Sequence, residues 1–263
     1  MSKMKALEDI LGKYESLAVA FSGGTDSAFL LATAKSIWND PARLLAVTVA
    51  SPLQPEKDLA VAEKFVRERQ IRHIRVDSDA MMGETFLKNP PDRCYFCKKM
   101  IFQLILETAR AAGIHTVAHG ENADDLESLR PGRRAAEEMG IIAPLAEAGL
   151  CKRDIRKLSR KMGLETWDKP SSGCLATRIP HGSPITLEKL AMVASAENLL
   201  ADLGFSLCRV RHHGDLARIE VPEDRLFDFF SPSNRRYVAD GFRKIGFRNV
   251  SVDLNGLSPE HFF

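Results

Sequence analysis

Leu17-Ala18-Val19-Ala20-Phe21-Ser22-Gly23-Gly24-Thr25-Asp26-Ser27 decides how this chain is read. An apolar, strand-like run enters a pair of glycines flanked by hydroxyls, and a second apolar run, Ala28 to Ile37, leaves it. The two glycines let successive backbone N–H groups turn toward one anion. The hydroxyls of Ser22, Thr25 and Ser27 offer further donors, Asp26 opens the next helix, and that helix directs its positive end at the same point. No lysine follows the glycines, so the loop is not of the Walker type. It suits a pyrophosphate held by amides and hydroxyls, as where ATP is split between its α and β phosphates. The alternative is a plain glycine turn with no ligand.

Outward from the loop, the hydrophobic pattern predicts strands over 17–21, 44–50, 71–76 and 116–119. Helices are predicted over 26–37, 56–69, 97–112 and 152–162. Strand and helix alternate, so the expected fold class is α/β, a doubly wound parallel sheet with a smaller C-terminal α/β domain. In such sheets ligands gather outside the carboxyl ends of the strands. The turn-rich stretch Lys169-Pro170-Ser171-Ser172-Gly173 divides a first domain, 1–169, from a second, 170–263. In the second, helices are expected over 187–203, 225–230 and 233–245, and strands over 207–211, 217–221 and 249–254. No internal repeat or low-complexity tract interrupts this plan.

The 263 residues, 44% of them hydrophobic, suffice for one large core and a smaller one. The formal charge of +2, from 37 basic and 35 acidic side chains, is not the footprint of a nucleic-acid binder and favours a small-molecule substrate. Residues 1–11 read as a short amphipathic helix. No run approaches the roughly 18 apolar residues of a membrane span, so a soluble cytoplasmic protein is expected. Five cysteines, an odd number, argue against a disulfide framework and for reduced thiols.

Gly120-Glu121-Asn122-Ala123-Asp124-Asp125 falls at the carboxyl end of a predicted strand. Asn122 and Asp125 are candidates for the nucleotide and Asp124 for Mg²⁺, a hard cation that needs few protein oxygens because it keeps its waters. The same residues could equally cap the next helix. Arg130-Pro131-Gly132-Arg133-Arg134 follows, either an anion contact or a solvated turn. Cys94-Tyr95-Phe96-Cys97 carries two thiols three residues apart, a weak signal alone, since zinc ribbons need a second pair. Cys174, in a glycine-flanked turn near Arg178, is the candidate third ligand. Three thiolates without a fourth cysteine point to an iron-sulfur cluster with one open iron. Cys151 and Cys208 read as ordinary small apolar residues.

The glycine loop resembles that of the PP-loop ATP pyrophosphatases, and the later blocks narrow this. They are Asn89-Pro90-Pro91-Asp92-Arg93-Cys94-Tyr95-Phe96-Cys97-Lys98, Asn122 to Asp125 with Arg130 to Gly132, Pro170 to Arg178, Val210 to Gly214 and Ala217 to Val221. With them, nearly the whole chain resembles the LarE family of ATP-dependent sulfur transferases. The resemblance implies an enzyme using ATP and Mg²⁺. It would adenylate a carboxylate of pyridinium-3,5-biscarboxylic acid mononucleotide, release pyrophosphate and insert sulfur, toward a nickel-pincer cofactor. Cys174 is then the catalytic cysteine. With Cys94 and Cys97 the chain is similar to the branch proposed to hold a 4Fe-4S cluster carrying sulfide, whereas in another branch one cysteine gives up its own sulfur. Arg178, Arg211 and Arg218 lie in family-like blocks and offer forks for the nucleotide phosphate and second carboxylate, and His212 and His213 read as hydrogen-bonded elements rather than bases. Homo-oligomerisation is implied by the resemblance, and the sulfur donor is unassigned. The tail departs from the family, with Gly256-Leu257-Ser258-Pro259 where an arginine-bearing ending is expected. Two other readings stay open: a cluster-dependent tRNA thiolation enzyme, and a non-catalytic iron-sulfur carrier.

Overall fold

The computed structural model describes residues 2–38, 40–78, 83–127, 131–170 and 173–257. They fall into two compact units. The first takes the described residues of 1–51, 56–82 and 92–171, and the second those of 52–55, 83–91 and 172–263. The two short excursions, 52–55 and 83–91, lie inside what the sequence reads as the first domain.

In the first unit β1 (Leu17–Ala20), β2 (Leu44–Ala50), β3 (Arg72–Asp77) and β4 (Val117–Ala118) form a parallel sheet in the order β3-β2-β1-β4. Leu17 pairs with Leu44, Val19 with Ala118 and Val47 with Ile74. Period-two alternation sends Leu17, Val19, Leu44 and Ala46 into one core, which α1 (Lys3–Leu11), α2 (Thr25–Ile37), α3 (Glu56–Glu68) and α8 (Lys152–Lys161) help to fill. Ala18, Leu45, Val47 and Val49 face the other core, against α5 (Arg93–Ala111) and α6 (Pro131–Glu138). All seven residues of β2 are therefore buried, as expected of a strand covered on both faces. A short helix, α7 (Pro144–Glu147), follows the chain's bridge of Ile142 onto Ala118.

The second unit contains α4 (Glu84–Leu87), α9 (Leu187–Asp202), β5 (Arg209–His213), β6 (Leu216–Glu220), α10 (Pro232–Ile245) and β7 (Asn249–Val252). β5 runs antiparallel to β6, with Arg211 opposite Arg218, and β7 runs parallel to β6. Phe205, Phe229, Phe242 and Phe247 pack with Val210 and Ile219 in its core. Asn89 joins this unit from a distance. It is fully buried in a left-handed conformation (φ 56°), and its amide donates to the carbonyls of Pro180 (2.8 Å) and Ser183 (2.9 Å). Leu175 N–H donates to Leu53 O and Ile185 N–H to Leu87 O, so both excursions are stitched to the segment after residue 172.

Two elements differ from expectation. The helix expected from residue 97 starts at Arg93, which places Cys94 and Cys97 at its second and fifth positions. The helix expected over 225–230 is 3₁₀ in form and starts two residues earlier, at Glu223. Among the described residues no helix is long and apolar enough to cross a membrane.

Candidate active site

The glycine loop leaves β1 and enters α2 directly. Gly23 has φ +70°, and a Cβ there would lie 2.9 Å from the Ala62 Cβ and 3.1 Å from the Asp58 carbonyl, so only glycine fits. Gly24 caps α2 with ordinary extended backbone. Ser22 Oγ and Ser27 Oγ are 3.1 Å apart, and Gly24 N–H reaches Ser22 Oγ at 3.4 Å, leaving a small ring of donors at the positive end of a 13-residue helix. Thr25 behaves differently from its expected role. Its buried hydroxyl donates to Thr166 O at 2.8 Å, so it ties the loop to the turn after α8 and leaves only its amide to face a ligand. On the neighbouring strand, Gly120 presses against the same turn, where a Cβ would stand 2.8 Å from Ser27 N. The loops after β1 and β4 thus meet at one point, as the strand order requires.

Two lysines that sequence spacing could not nominate reach this loop. Lys152, at the start of α8, places Nζ 2.8 Å from both carboxylate oxygens of Asp26. Lys169 donates from Nζ to Gly23 O at 3.1 Å and pairs with Asp58 at 3.0 Å. Burial pushes the Asp26 carboxyl above the usual carboxylate range despite Lys152, and Asn122 Nδ2 approaches Asp26 at 3.5 Å. Asn122, Asp124 and Asp125 also act as caps. Asp124 N–H donates to Asn122 Oδ1 (2.9 Å) and Asn122 N–H to Asp125 Oδ2 (3.2 Å), while Asp124 Oδ2 accepts from Lys152 N–H (2.8 Å). A half-buried carboxylate beside a carboxamide, at the mouth of an amide cradle, fits Mg²⁺ and the phosphates of ATP, and Asp26 is its centre.

In the second unit, charged side chains converge on the turn that follows Gly173. Arg178, 2% exposed, makes a double contact with Glu197 (2.9 and 3.2 Å) and donates to Cys174 O at 3.2 Å. Arg211 grips Glu220 twice at 2.9 Å and donates to Thr177 O at 2.9 Å. Arg218 pairs with Glu220 at 3.0 Å and Asp253 at 3.4 Å. The expected anion forks are therefore also carboxylate partners, and two of them hold the Cys174 turn in place. Arg209, which sequence reasoning missed, lies in their midst. Burial, with repulsion from Arg178 and Arg211, pushes its guanidinium down to about 10. His212 is buried with its ring edge against Phe247, as a packed element would be.

No family model matches this chain. An uncharacterized protein of Synechocystis is 36% identical over 97% of the chain and 94% of its own length. The pyridinium-3,5-bisthiocarboxylic acid mononucleotide synthase of Lactiplantibacillus plantarum is 33% identical over 97% of the chain and 92% of its own length. The chain belongs to the LarE family. More distantly, the tRNA-specific 2-thiouridylase of Rickettsia rickettsii is 26% identical over 65% of the chain and 56% of its own length, which sets LarE members among the PP-loop proteins.

For this LarE member the cysteines divide between the units. Cys94, exposed, and Cys97, half-buried, lie at the second and fifth positions of α5, about one helical turn apart near its positive end. Cys174, half-buried, caps the 3₁₀ turn Leu175–Arg178 in the second unit. Among the described residues no three His, Cys, Asp or Glu side chains gather closely enough to hold a metal ion. The structure thus carries two of the three expected thiols as a pair and the third on a separate turn. Cys151, set aside on sequence, caps α8 with its Sγ 3.1 Å from Asp154. Arg133 and Arg134 lie on a helical face with Glu137 and Glu138 as their i+4 partners. Arg130, Ser171, Ser172, Ser258 and Pro259 fall outside the described residues.

Two hollows lie apart from the glycine loop and the cysteines. An open groove of about 920 Å³ between α9 and α10 is lined by Leu199, Tyr237 and Gly241 among others. A cavity of about 320 Å³ beside β4 is lined by His119, Glu121, Arg133 and Ile141 among others, and burial there pushes the His119 imidazole down to about 3.

Proposed function

We propose that this LarE member adenylates a carboxylate of pyridinium-3,5-biscarboxylic acid mononucleotide with ATP and replaces the activated oxygen with sulfur. The observation that carries this reading is the glycine-only cradle at Gly23, set on the positive end of α2, in a chain colinear with a pyridinium-3,5-bisthiocarboxylic acid mononucleotide synthase.

In the first step a carboxylate oxygen of the substrate attacks the α phosphorus. A C–O–P bond forms, the bond from α phosphorus to its bridging oxygen breaks, and pyrophosphate leaves with the electron pair. Amides from Ser22 to Ser27 hold the departing charge, aligned before the reaction and so without reorganisation cost. Mg²⁺, held by Asp26 with Asn122, Asp124 and Asp125 near it, would neutralise the same oxygens. In the second step a sulfur nucleophile attacks the acyl carbon and AMP departs, adenylation having already turned a poor leaving group into a good one. Arg178, Arg211 and Arg218 orient the nucleotide phosphate and the second carboxylate. Arg209 belongs with them, because an anion at that point relieves the mutual repulsion of three guanidinium groups.

For the sulfur source, Cys94, Cys97 and Cys174 would ligate a 4Fe-4S cluster, which when bound supplies a sulfide on its open iron. The helix-end thiol pair supports that reading. Self-association is part of the same proposal, supported by the exposed Phe227, Phe230 and Tyr237 of the second unit.

The test combines ATP, substrate and protein purified without oxygen. AMP, pyrophosphate and thiocarboxylate are expected, with iron and sulfide in the protein and Cys174 unchanged in mass. Loss of one sulfur from Cys174 with no iron replaces the cluster by a sacrificial cysteine. Absence of AMP and pyrophosphate leaves a carrier. Salt-dependent tRNA binding, with none of the pyridinium nucleotide, would favour the activity named for the thiouridylase.

A further inference from the structure

The glycine loop lacks the lysine that phosphate loops of the Walker type carry within their own sequence. We propose that Lys152, delivered by the first turn of α8, is the missing cation: its ammonium rests on Asp26 and transfers to the β and γ phosphates when ATP binds. This rests on the ATP reading of the loop given above.

The backbone of Lys152 is fixed from two sides. Its N–H donates to Asp124 Oδ2 at 2.8 Å, and the residue before it, Cys151, is locked to Asp154 by a reciprocal cap at the start of α8. What remains free to move is the four-carbon stem and a compact charge that can be re-aimed without moving the helix. The ammonium already stands at the loop, because its partner Asp26 is only two residues beyond Gly24 in the first turn of α2. Its side chain keeps 35% exposure, so solvent and ligand reach it. A triphosphate brings several negative charges where Asp26 brings one, and the exchange is favourable on charge alone.

Lys169 sets the contrast. Its ammonium donates to the carbonyl of Gly23 and pairs with Asp58, and its side chain is 19% exposed. It braces the far side of the loop, since leaving would cost both partners and release the strained Gly23 turn. Of these two lysines at the loop, only Lys152 has a partner that the reaction itself would call away.

The experiment titrates the full-length protein, in Mg²⁺ buffer, with AMP and with α,β-methylene-ATP, which cannot be split at the reacting bond. Lys152→Gln is expected to weaken the methylene analogue by about 30-fold or more, the worth of a charge-assisted contact, while AMP changes by less than about 3-fold. Lys152→Arg is expected to recover most of the loss. An equal loss for both ligands, or none, overturns the proposal. A wild-type protein that binds neither ligand overturns the ATP reading beneath it. Independently of any variant, a crystal structure with the methylene analogue is expected to show Lys152 Nζ on a β or γ phosphate oxygen, and the ammonium still on Asp26 would refute the transfer.

Discussion

The first unit presents main-chain amides around the left-handed turn at Gly23 and the first turn of α2. The second presents guanidinium groups held by Glu197 and Glu220. The first is shaped by glycine, with the Lys152–Asp26 and Lys169–Asp58 pairs beside it, so its weak point is steric: anything larger than hydrogen at Gly23 displaces it. The second buries full charges, and its weak point is electrostatic, because each carboxylate removed strands a cation. A site can thus be preorganised by shape or by charge balance, and the two fail differently.

Glu220→Ala is the strongest test of the charge-balanced side. Glu220 is fully buried and serves both Arg211 and Arg218, so its loss is expected to cost about 4–5 kcal/mol in urea unfolding. A cost under about 1 kcal/mol would show that the guanidinium groups do not depend on it. Gly23→Ala probes the steric side. A left-handed alanine and its contact with Ala62 are expected to cost about 3 kcal/mol together. AMP formation is expected to fall by more than about 100-fold through misplaced amides.

His119→Asn follows, and its signature is in pH. Burial lowers the imidazole from 6.5 to about 3, so the folded state keeps it neutral. The stability this represents is present above pH 6.5 and is lost as pH falls from there toward 3. Between about pH 7.5 and about pH 4.5, wild type is expected to lose about 2.5 kcal/mol more than the variant. An equal loss in the two proteins would contradict the buried neutral imidazole. The smallest effect is expected of Gly24→Ala. With φ −82° and only Ser22 Oγ near its missing Cβ, alanine meets no backbone strain there, and the entropy it removes from the unfolded chain offsets the loss of a glycine N-cap, so stability is expected to change by less than about 0.5 kcal/mol.

The parallel sheet was legible because each strand is a local apolar run and because the glycine loop sits at a strand-to-helix junction. What pairs with that loop was not. Lys152 and Lys169 lie 126 and 146 residues from their partners Asp26 and Gly23, and a lysine on an amphipathic helix looks like any solvated charge. Arg209 was hidden for a related reason, since an arginine inside the strand expected over 207–211 reads as a solvent-facing alternate until the fold buries it. The helix carrying Cys94 and Cys97 was placed four residues late. Pro90-Pro91 signals a loop, Asp92 makes no side-chain cap bond, and the helix start is anchored instead by burial of Arg93 and Tyr95. Thr25 was counted among the ligand donors because a hydroxyl in such a loop is expected to face the anion. Its acceptor, the carbonyl of Thr166, is invisible without the fold.

The buried Asn89 has a consequence for the making of the protein. Two acceptors of its amide, the carbonyls of Pro180 and Ser183, lie as far as 94 residues further along the chain. A ribosome that has released residue 171 has delivered every strand of the parallel sheet, yet the 83–91 segment still has nowhere to go. At about 5–20 residues per second the 94 residues from Asn89 to Ser183 take on the order of 5–20 s to make. For that long the growing chain holds Asn89 apart from the two carbonyls that its amide meets in the folded second unit.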